Sequence, residues 1–112
     1  MNEIDNVKKI IRHILSRSGL TDTSVLEDQA DRITSTSGPP TMTTLTIEDG
    51  ARTQRPDGPL PVDAEVFDND LSLGELLLWV RDGKLDLLEF AWWSDDRPAA
   101  LPTLSAIKVN RR

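Results

Sequence analysis

The side chains that could do chemistry in this chain cluster around two adjacent tryptophans. Glu89, Asp95 and Asp96 are carboxylates that lie on either side of Trp92 and Trp93. An aromatic wall beside carboxylates suits a cationic or sugar-like ligand. One interpretation is therefore a small-molecule-binding domain, or a small enzyme in which Glu89 acts with Asp95 or Asp96.

Other reactive groups are scarce in the sequence. There is no cysteine, which excludes disulfides and thiolate chemistry. The single histidine, His13, lies beside the apolar positions of a predicted helix without a nearby partner, so we expect a structural or surface role. No GxSxG elbow, glycine-rich phosphate loop or metal-ligand spacing occurs. The sequence thus favours a protein that is not an enzyme, with no metal site and no cofactor.

A β-hairpin over residues 74–93 must position the carboxylates and tryptophans. Its two apolar runs, residues 76–80 and 85–90, flank Asp82-Gly83, a dipeptide that fits a two-residue type I′ turn. This turn pairs Arg81 with Lys84. An uninterrupted register then places Leu76 opposite Glu89.

In that register neither face of the hairpin has the composition of a solvated surface. One face carries Leu76, Leu78, Val80, Leu85, Leu87 and Glu89, and the other carries Leu77, Trp79, Leu88, Phe90 and Trp92. Layers could cover the hairpin on both sides. Alternatively, the face with Leu77, Trp79, Phe90 and Trp92 stays partly open for a partner, because exposed aromatic patches mark interaction sites.

Glu89 is the residue that fits its predicted position least well. A carboxylate at the end of a leucine face is costly to bury without a partner. We expect it to pair with an arginine such as Arg97 or Arg32, to lie at the sheet rim, or to serve a functional site with a raised pKa.

The N-terminal part of the chain predicts two helices. Apolar residues recur at helical spacing from Ile4 to Leu15, with Asn2 placed to cap this helix and Gly19 placed to end it. Ser24 and Glu27 form a capping-box pattern for a second, shorter helix.

The remaining chain predicts strands and loops. Residues 33–37 and 41–48 form a hairpin, with Leu45 and Ile47 on one face and threonines on the other. Residues 49–59 form a surface loop that could be mobile. The strand over residues 60–67 then joins the central hairpin in a three-strand meander, and Ile107 and Val109 add a last strand. The predicted fold is α+β: two N-terminal helices on one face of an antiparallel sheet of four to six strands.

The length and the charge of the chain limit the classes of function that are plausible. The 112 residues form a single domain, 1–112, and no signal peptide or membrane span is evident, so we expect a cytoplasmic protein. The net charge of −6 argues against nucleic acid and anionic membranes. Residues 57–96 hold eleven acidic and two basic residues, so a basic protein is the natural electrostatic match.

The C-terminal half carries a motif that resembles a family. It reads G-E-x-x-x-W-V-x-x-G-x-L-x-x-L-E-x-x-W, here Gly74-Glu75, Trp79-Val80, Gly83, Leu85, Leu88-Glu89 and Trp92, followed by a tail that includes Asp96. Residues 56–61 match the same family, which consists of small bacterial, mainly actinobacterial, proteins without an assigned activity. Small acidic proteins of this general kind include immunity partners of secreted toxins.

The leading prediction from the sequence is a non-catalytic protein-binding domain, in the manner of an immunity-type inhibitor of a basic toxin or effector. Its predicted binding residues are Trp79, Glu89, Phe90, Trp92, Trp93, Asp95 and Asp96.

Overall fold

The computed structural model describes residues 3–111, without the side chain of Arg111. Two helices come first, α1 (Glu3–Arg17) and α2 (Thr23–Asp31). Seven strands follow: β1 (Ile33–Ser37), β2 (Met42–Ile47), β3 (Gly58–Pro59), β4 (Val62–Asp68), β5 (Leu71–Arg81), β6 (Lys84–Trp92) and β7 (Ile107–Arg111). A single 3₁₀ turn, Leu104–Ala106, precedes β7.

The strands form one antiparallel sheet in the order β1-β2-β6-β5-β4-β7, and β3 pairs with the later part of β5. Both helices pack on the same face, where their apolar residues join one buried cluster with the inward side chains of the strands. This confirms the predicted α+β class, the N-terminal helices and the central hairpin. The short β3, which lies in a predicted loop, brings the number of strands in the described residues to seven.

Helix α1 has the predicted amphipathic pattern. Its buried residues, Val7, Ile10, Ile11, Ile14 and Leu15, recur at the spacing of one helix face. Gly19 follows the helix with φ 73°, as a C-terminal glycine should. The predicted cap, Asn2, lies outside the described residues.

The predicted capping box of α2 is wrong. The helix begins at Thr23, so Ser24 lies inside it, and Asp22 occupies the N-cap position. The Asp22 carboxylate makes no capping hydrogen bond. It accepts hydrogen bonds instead from Nε and Nη2 of Arg55 and from Oγ1 of Thr53.

A β-bulge in the central hairpin overturns the predicted register. Val80 pairs with Leu85, but Trp79 pairs with Leu87, which leaves Asp86 as an extra residue without a cross-strand partner. Beyond a one-residue shift in register, each side chain of the strand points to the opposite face of the sheet. Leu88 therefore faces the core instead of Leu87.

The same shift moves the last part of β6. Phe90, rather than Glu89, pairs with Leu76 and is 3% exposed in the core. Glu89 pairs with Leu77 and lies on the opposite face of the sheet, half-buried. The predicted placement of Glu89 on the leucine face is wrong because the bulge, not the turn alone, sets the register.

The fully buried side chain of Gln29 attaches α2 to the turn of this hairpin. Its Nε2 donates to the carbonyl oxygens of Ala51 and Gly83, each at 2.9 Å. Its Oε1 accepts the backbone N–H of Leu85 at 2.9 Å. Because β2 pairs with β6 only at residues 87–89, Gln29 supplies the acceptor that the neighbouring strand does not provide for Leu85.

The predicted surface loop, residues 49–59, is held against the hairpin turn. The N–H of Thr53 donates to Gly83, and Asp57 Oδ1 accepts the N–H of Asp82. Thr53 is buried, and the bidentate ion pair between Arg55 and Asp22 joins the loop to α2. Hydrogen bonds from Arg55 hold the pKa of the Asp22 carboxyl below its usual value, outweighing the effect of burial.

The β1-β2 hairpin is confirmed, but the expected division of its faces is only partly right. Leu45 and Ile47 face the core as predicted, yet Thr41 and Thr43 share that face and are buried. Met42, Thr44 and Thr46 face outward.

Candidate functional site

The sheet face opposite the helices, called the open sheet face below, carries four apolar side chains and one carboxylate at its centre. Trp79 and Leu87 are cross-strand neighbours, as are Leu77 and Glu89, and Met42 of β2 lies beside Glu89. Met42 is 45% exposed, and the other four side chains are half-buried. We call Met42, Leu77, Trp79, Leu87 and Glu89 the central patch.

An acidic row adjoins the central patch. Glu65 of β4 lies directly opposite Glu75 of β5, and Asp63 is on the same face of β4. Like charges in directly opposed positions destabilise a sheet. Ser72 Oγ donates to Glu65 at 2.5 Å, and Lys108 of β7 lies on the far side of Glu65.

Glu89 interacts with an aromatic neighbour and not with an arginine. The indole Nε1 of Trp79 donates to Glu89 Oε1 at 2.9 Å. Within residues 3–111, no ion pair involves Glu65, Glu75 or Glu89. The expected pairing of Glu89 with Arg97 or Arg32 is therefore wrong, since Arg97 lies over Trp92 and Arg32 binds Asp28.

The open sheet face has a different composition from the predicted aromatic face. Leu77 and Trp79 lie on it as expected. Phe90, a predicted binding residue, is in the core because of the bulge, and Leu87 and Glu89 are on the open face in its place. Neither alternative for the hairpin holds as stated, because Phe90 and Trp92 share the other face, while Leu77 and Trp79 remain half-buried.

Trp92 and Trp93 lie at the open end of the hairpin, away from the turn. Trp92 is 38% exposed, with the guanidinium of Arg97 at 5.9 Å from the centroid of its ring. Trp93 is 55% exposed, and its Nε1 donates to the carbonyl of Ser72 at 3.1 Å.

Asp95 and Asp96 line a cavity of about 600 Å³ at this same end. Its wall includes Phe90, but neither Glu89 nor the two tryptophans. The structure therefore does not bring Glu89 together with Asp95 and Asp96 as the small-enzyme interpretation requires. Glu89 lies on the open sheet face, whereas the cavity opens beside the segment that follows β6.

Sequence reasoning missed several residues of these sites. Asp63 and Glu65 alternate with the buried Val62, Ala64 and Val66, a pattern that marks them as outward-facing. That signal was present in the sequence. Their position beside Glu75 depends on strand order, which alternation alone does not give.

The single histidine of the chain makes a structural contact. His13 Nε2 donates to the carbonyl of Ile107 at 3.2 Å, which connects α1 to β7. Among the described residues, no group of three or more His, Cys, Asp or Glu side chains is placed to hold a metal ion. No helix within residues 3–111 is long and apolar enough to cross a membrane.

Comparison of the chain with protein-family models, curated proteins and solved structures gave no match.

Proposed function

We propose that this chain is a non-catalytic protein-binding domain that binds a basic protein through its open sheet face. The partner class we propose is a basic toxin or effector, which the domain would inhibit as a cytoplasmic immunity-type protein. The chain's acidity does not favour nucleic acid as a partner.

The observation that carries this proposal is the opposed pair Glu65 and Glu75 beside the central patch. Two directly opposed carboxylates repel each other, and Lys108 lies beside only one of them, opposite Glu65. A basic partner would remove that repulsion, so the same arrangement that is unfavourable in the free protein favours the complex.

The central patch supplies the apolar contacts that such a complex needs. Trp79 and Leu87 lie side by side, and tryptophan is enriched among residues that dominate binding energy. The acidic row borders this patch on the side of β4, so an apolar centre adjoins a charged rim, as in many protein interfaces.

Coexpression with the proteins encoded on either side of this chain tests the proposal. The tagged chain should copurify with a basic neighbour, and the complex should suppress the toxicity of that neighbour. Met42→Arg places a cation in the central patch at an exposed position, so it should abolish copurification. Leu104→Arg introduces the same charge at an exposed position beside α1, so it is the matched control and should retain copurification.

Two results would contradict the proposal. One is that neither neighbour binds the wild-type chain. The other is that a bound neighbour is retained equally by Met42→Arg, because the contact would then lie elsewhere on the domain.

A further inference from the structure

A second site lies at the opposite end of the hairpin from its turn. The cavity there has a volume of about 600 Å³, within the usual range for small-molecule sites of about 300 to 1,000 Å³. Its floor includes Val66, Leu73 and Phe90 from three adjacent strands. Pro98, Ala100 and Pro102 from the segment after β6 line it as well.

Hydrogen bonds fix the segment that borders this cavity at both of its ends. At its start, the N–H of Trp93 donates to the carbonyl of Leu73, and the Trp93 indole donates to Ser72. At its other end, the chain enters β7, where Ile107 pairs with Val66 of β4. Two prolines further restrict the backbone between these points. The cavity is therefore preformed, which lowers the ordering cost of binding.

The polar groups of the cavity are predominantly acidic. Asp68, Asp95 and Asp96 line it, and none of them forms an ion pair within the described residues. Arg97 is the one basic residue of the lining, and its guanidinium lies over the indole ring of Trp92. The charge balance favours a cationic ligand group near the aspartates.

We propose that this cavity binds a small organic cation with an apolar body, such as a primary amine attached to an aromatic or aliphatic group. The apolar body packs against Leu73 and Phe90, and the ammonium group lies near Asp95 and Asp96. This site is separate from the open sheet face, and its ligand does not depend on the protein partner proposed above.

Titration of the isolated chain with phenethylamine, followed by its amide NMR spectrum, tests this assignment. The amine should shift the resonances of Leu73, Phe90 and Ala106, which line the cavity. Phenethyl alcohol and phenylacetate have the same aromatic body with a neutral or negative group. They should bind at least about tenfold more weakly, as expected when a favourable charge contact is lost or reversed.

Two variants locate the site. The double variant Asp95→Asn/Asp96→Asn should weaken amine binding by about tenfold. The double variant Glu48→Gln/Asp49→Asn removes the same charge at exposed positions outside the cavity lining, so it should leave binding unchanged. Ala100→Trp places an indole at the cavity wall and should abolish the shifts. The thermal unfolding of each variant shows that it is folded.

The proposal is overturned if phenethylamine shifts none of the cavity resonances. Equal binding of the amine and the carboxylate would also overturn it, as would unchanged amine binding by folded Ala100→Trp. None of these results bears on the open sheet face, whose proposed partner is tested by copurification.

Discussion

Trp79 donates a hydrogen bond to Glu89 across two neighbouring strands of the open sheet face, with 2.9 Å between the indole Nε1 and Oε1. Since a glutamine side chain can still accept this bond through its amide oxygen, Glu89→Gln removes only the charge assistance. We expect the free energy of unfolding to fall by about 1 kcal/mol or less.

Urea denaturation with an unchanged slope measures this effect. A rise in stability would show that the carboxylate is unfavourable in the free domain. A loss well above this range would show that Glu89 is buried more tightly than its half-exposed position indicates.

The opposed carboxylates Glu65 and Glu75 lead to a second prediction. Glu75→Gln removes the like-charge contact and should raise the free energy of unfolding by about 0.2 to 1 kcal/mol at neutral pH. The same change should weaken binding of a basic partner. Glu48→Gln, which alters an exposed carboxylate outside this row, should do neither.

If the acidic row is part of the interface, Glu75→Gln should therefore raise the free energy of unfolding and lower the affinity for the basic partner. A stability gain at Glu75 that vanishes in about 1 M salt would confirm that repulsion is its cause, because screening then acts over about 3 Å. A loss of stability would contradict the repulsion.

Gln29 leads to a third prediction. Gln29→Leu keeps an apolar side chain of similar size but leaves the carbonyl of Ala51 and the N–H of Leu85 without their partner. Ala51 is exposed, so water can replace the amide at its carbonyl. The unsatisfied N–H of the buried Leu85 should lower the free energy of unfolding by about 1 to 3 kcal/mol. Gln54→Leu is the matched control, because Gln54 is exposed. Equal effects in the two variants would show that the hydrogen bonds of Gln29 contribute little.

These residues also show what the sequence could and could not predict. The Asp82-Gly83 turn, both hairpins and helix α1 follow from local patterns: turn dipeptides, alternation and helical spacing. The contacts of Gln29 span more than fifty residues along the chain at Gly83 and Leu85, and no local pattern encodes them. The loop over residues 49–59 is likewise held by residues distant in sequence, namely Gln29, Asp82 and Gly83.

The candidate site was harder to predict because both faces of the central hairpin are apolar. When one face is polar, alternation reveals a slip of register. Here Leu87 and Leu88 are equally suited to the core, so neither marks the position of the bulge. Because of this ambiguity, the prediction from the sequence placed Glu89 on the core face and Phe90 on the open sheet face.

The ion pair of Asp22 with Arg55 gives a pH-dependent prediction. Hydrogen bonds from Arg55 hold the pKa of Asp22 in the folded state below its ordinary value. Its stabilising contribution is thus present above that value and is lost as the pH falls through the folded-state pKa. Because both side chains are about one-quarter exposed, solvent reduces the contribution.

We therefore expect Asp22→Asn to lower the free energy of unfolding by about 1 kcal/mol at neutral pH, and the difference from wild type to become smaller in acid, below the ordinary pKa of an aspartate. Denaturant curves at both pH values measure this difference. Asp49→Asn, at an exposed position, should show little dependence on pH. An undiminished effect of Asp22→Asn at low pH would mean that the side chain acts through packing rather than charge.

The bulge itself provides the last prediction. Because Asp86 has no cross-strand partner, deletion of this residue would let Val80 pair with Leu85 and Trp79 with Leu87 in an unbroken ladder. Leu88 and Phe90 would keep their positions in the core, so we expect the shortened chain to fold. Deletion of Leu77 is the matched control: it would exchange the faces of β5 on one side of the deletion, move Leu76 out of the core and prevent folding. Circular dichroism and thermal unfolding compare the two chains. If the chain without Asp86 fails to fold and the chain without Leu77 folds, the bulge is required and the assignment of the two faces is wrong.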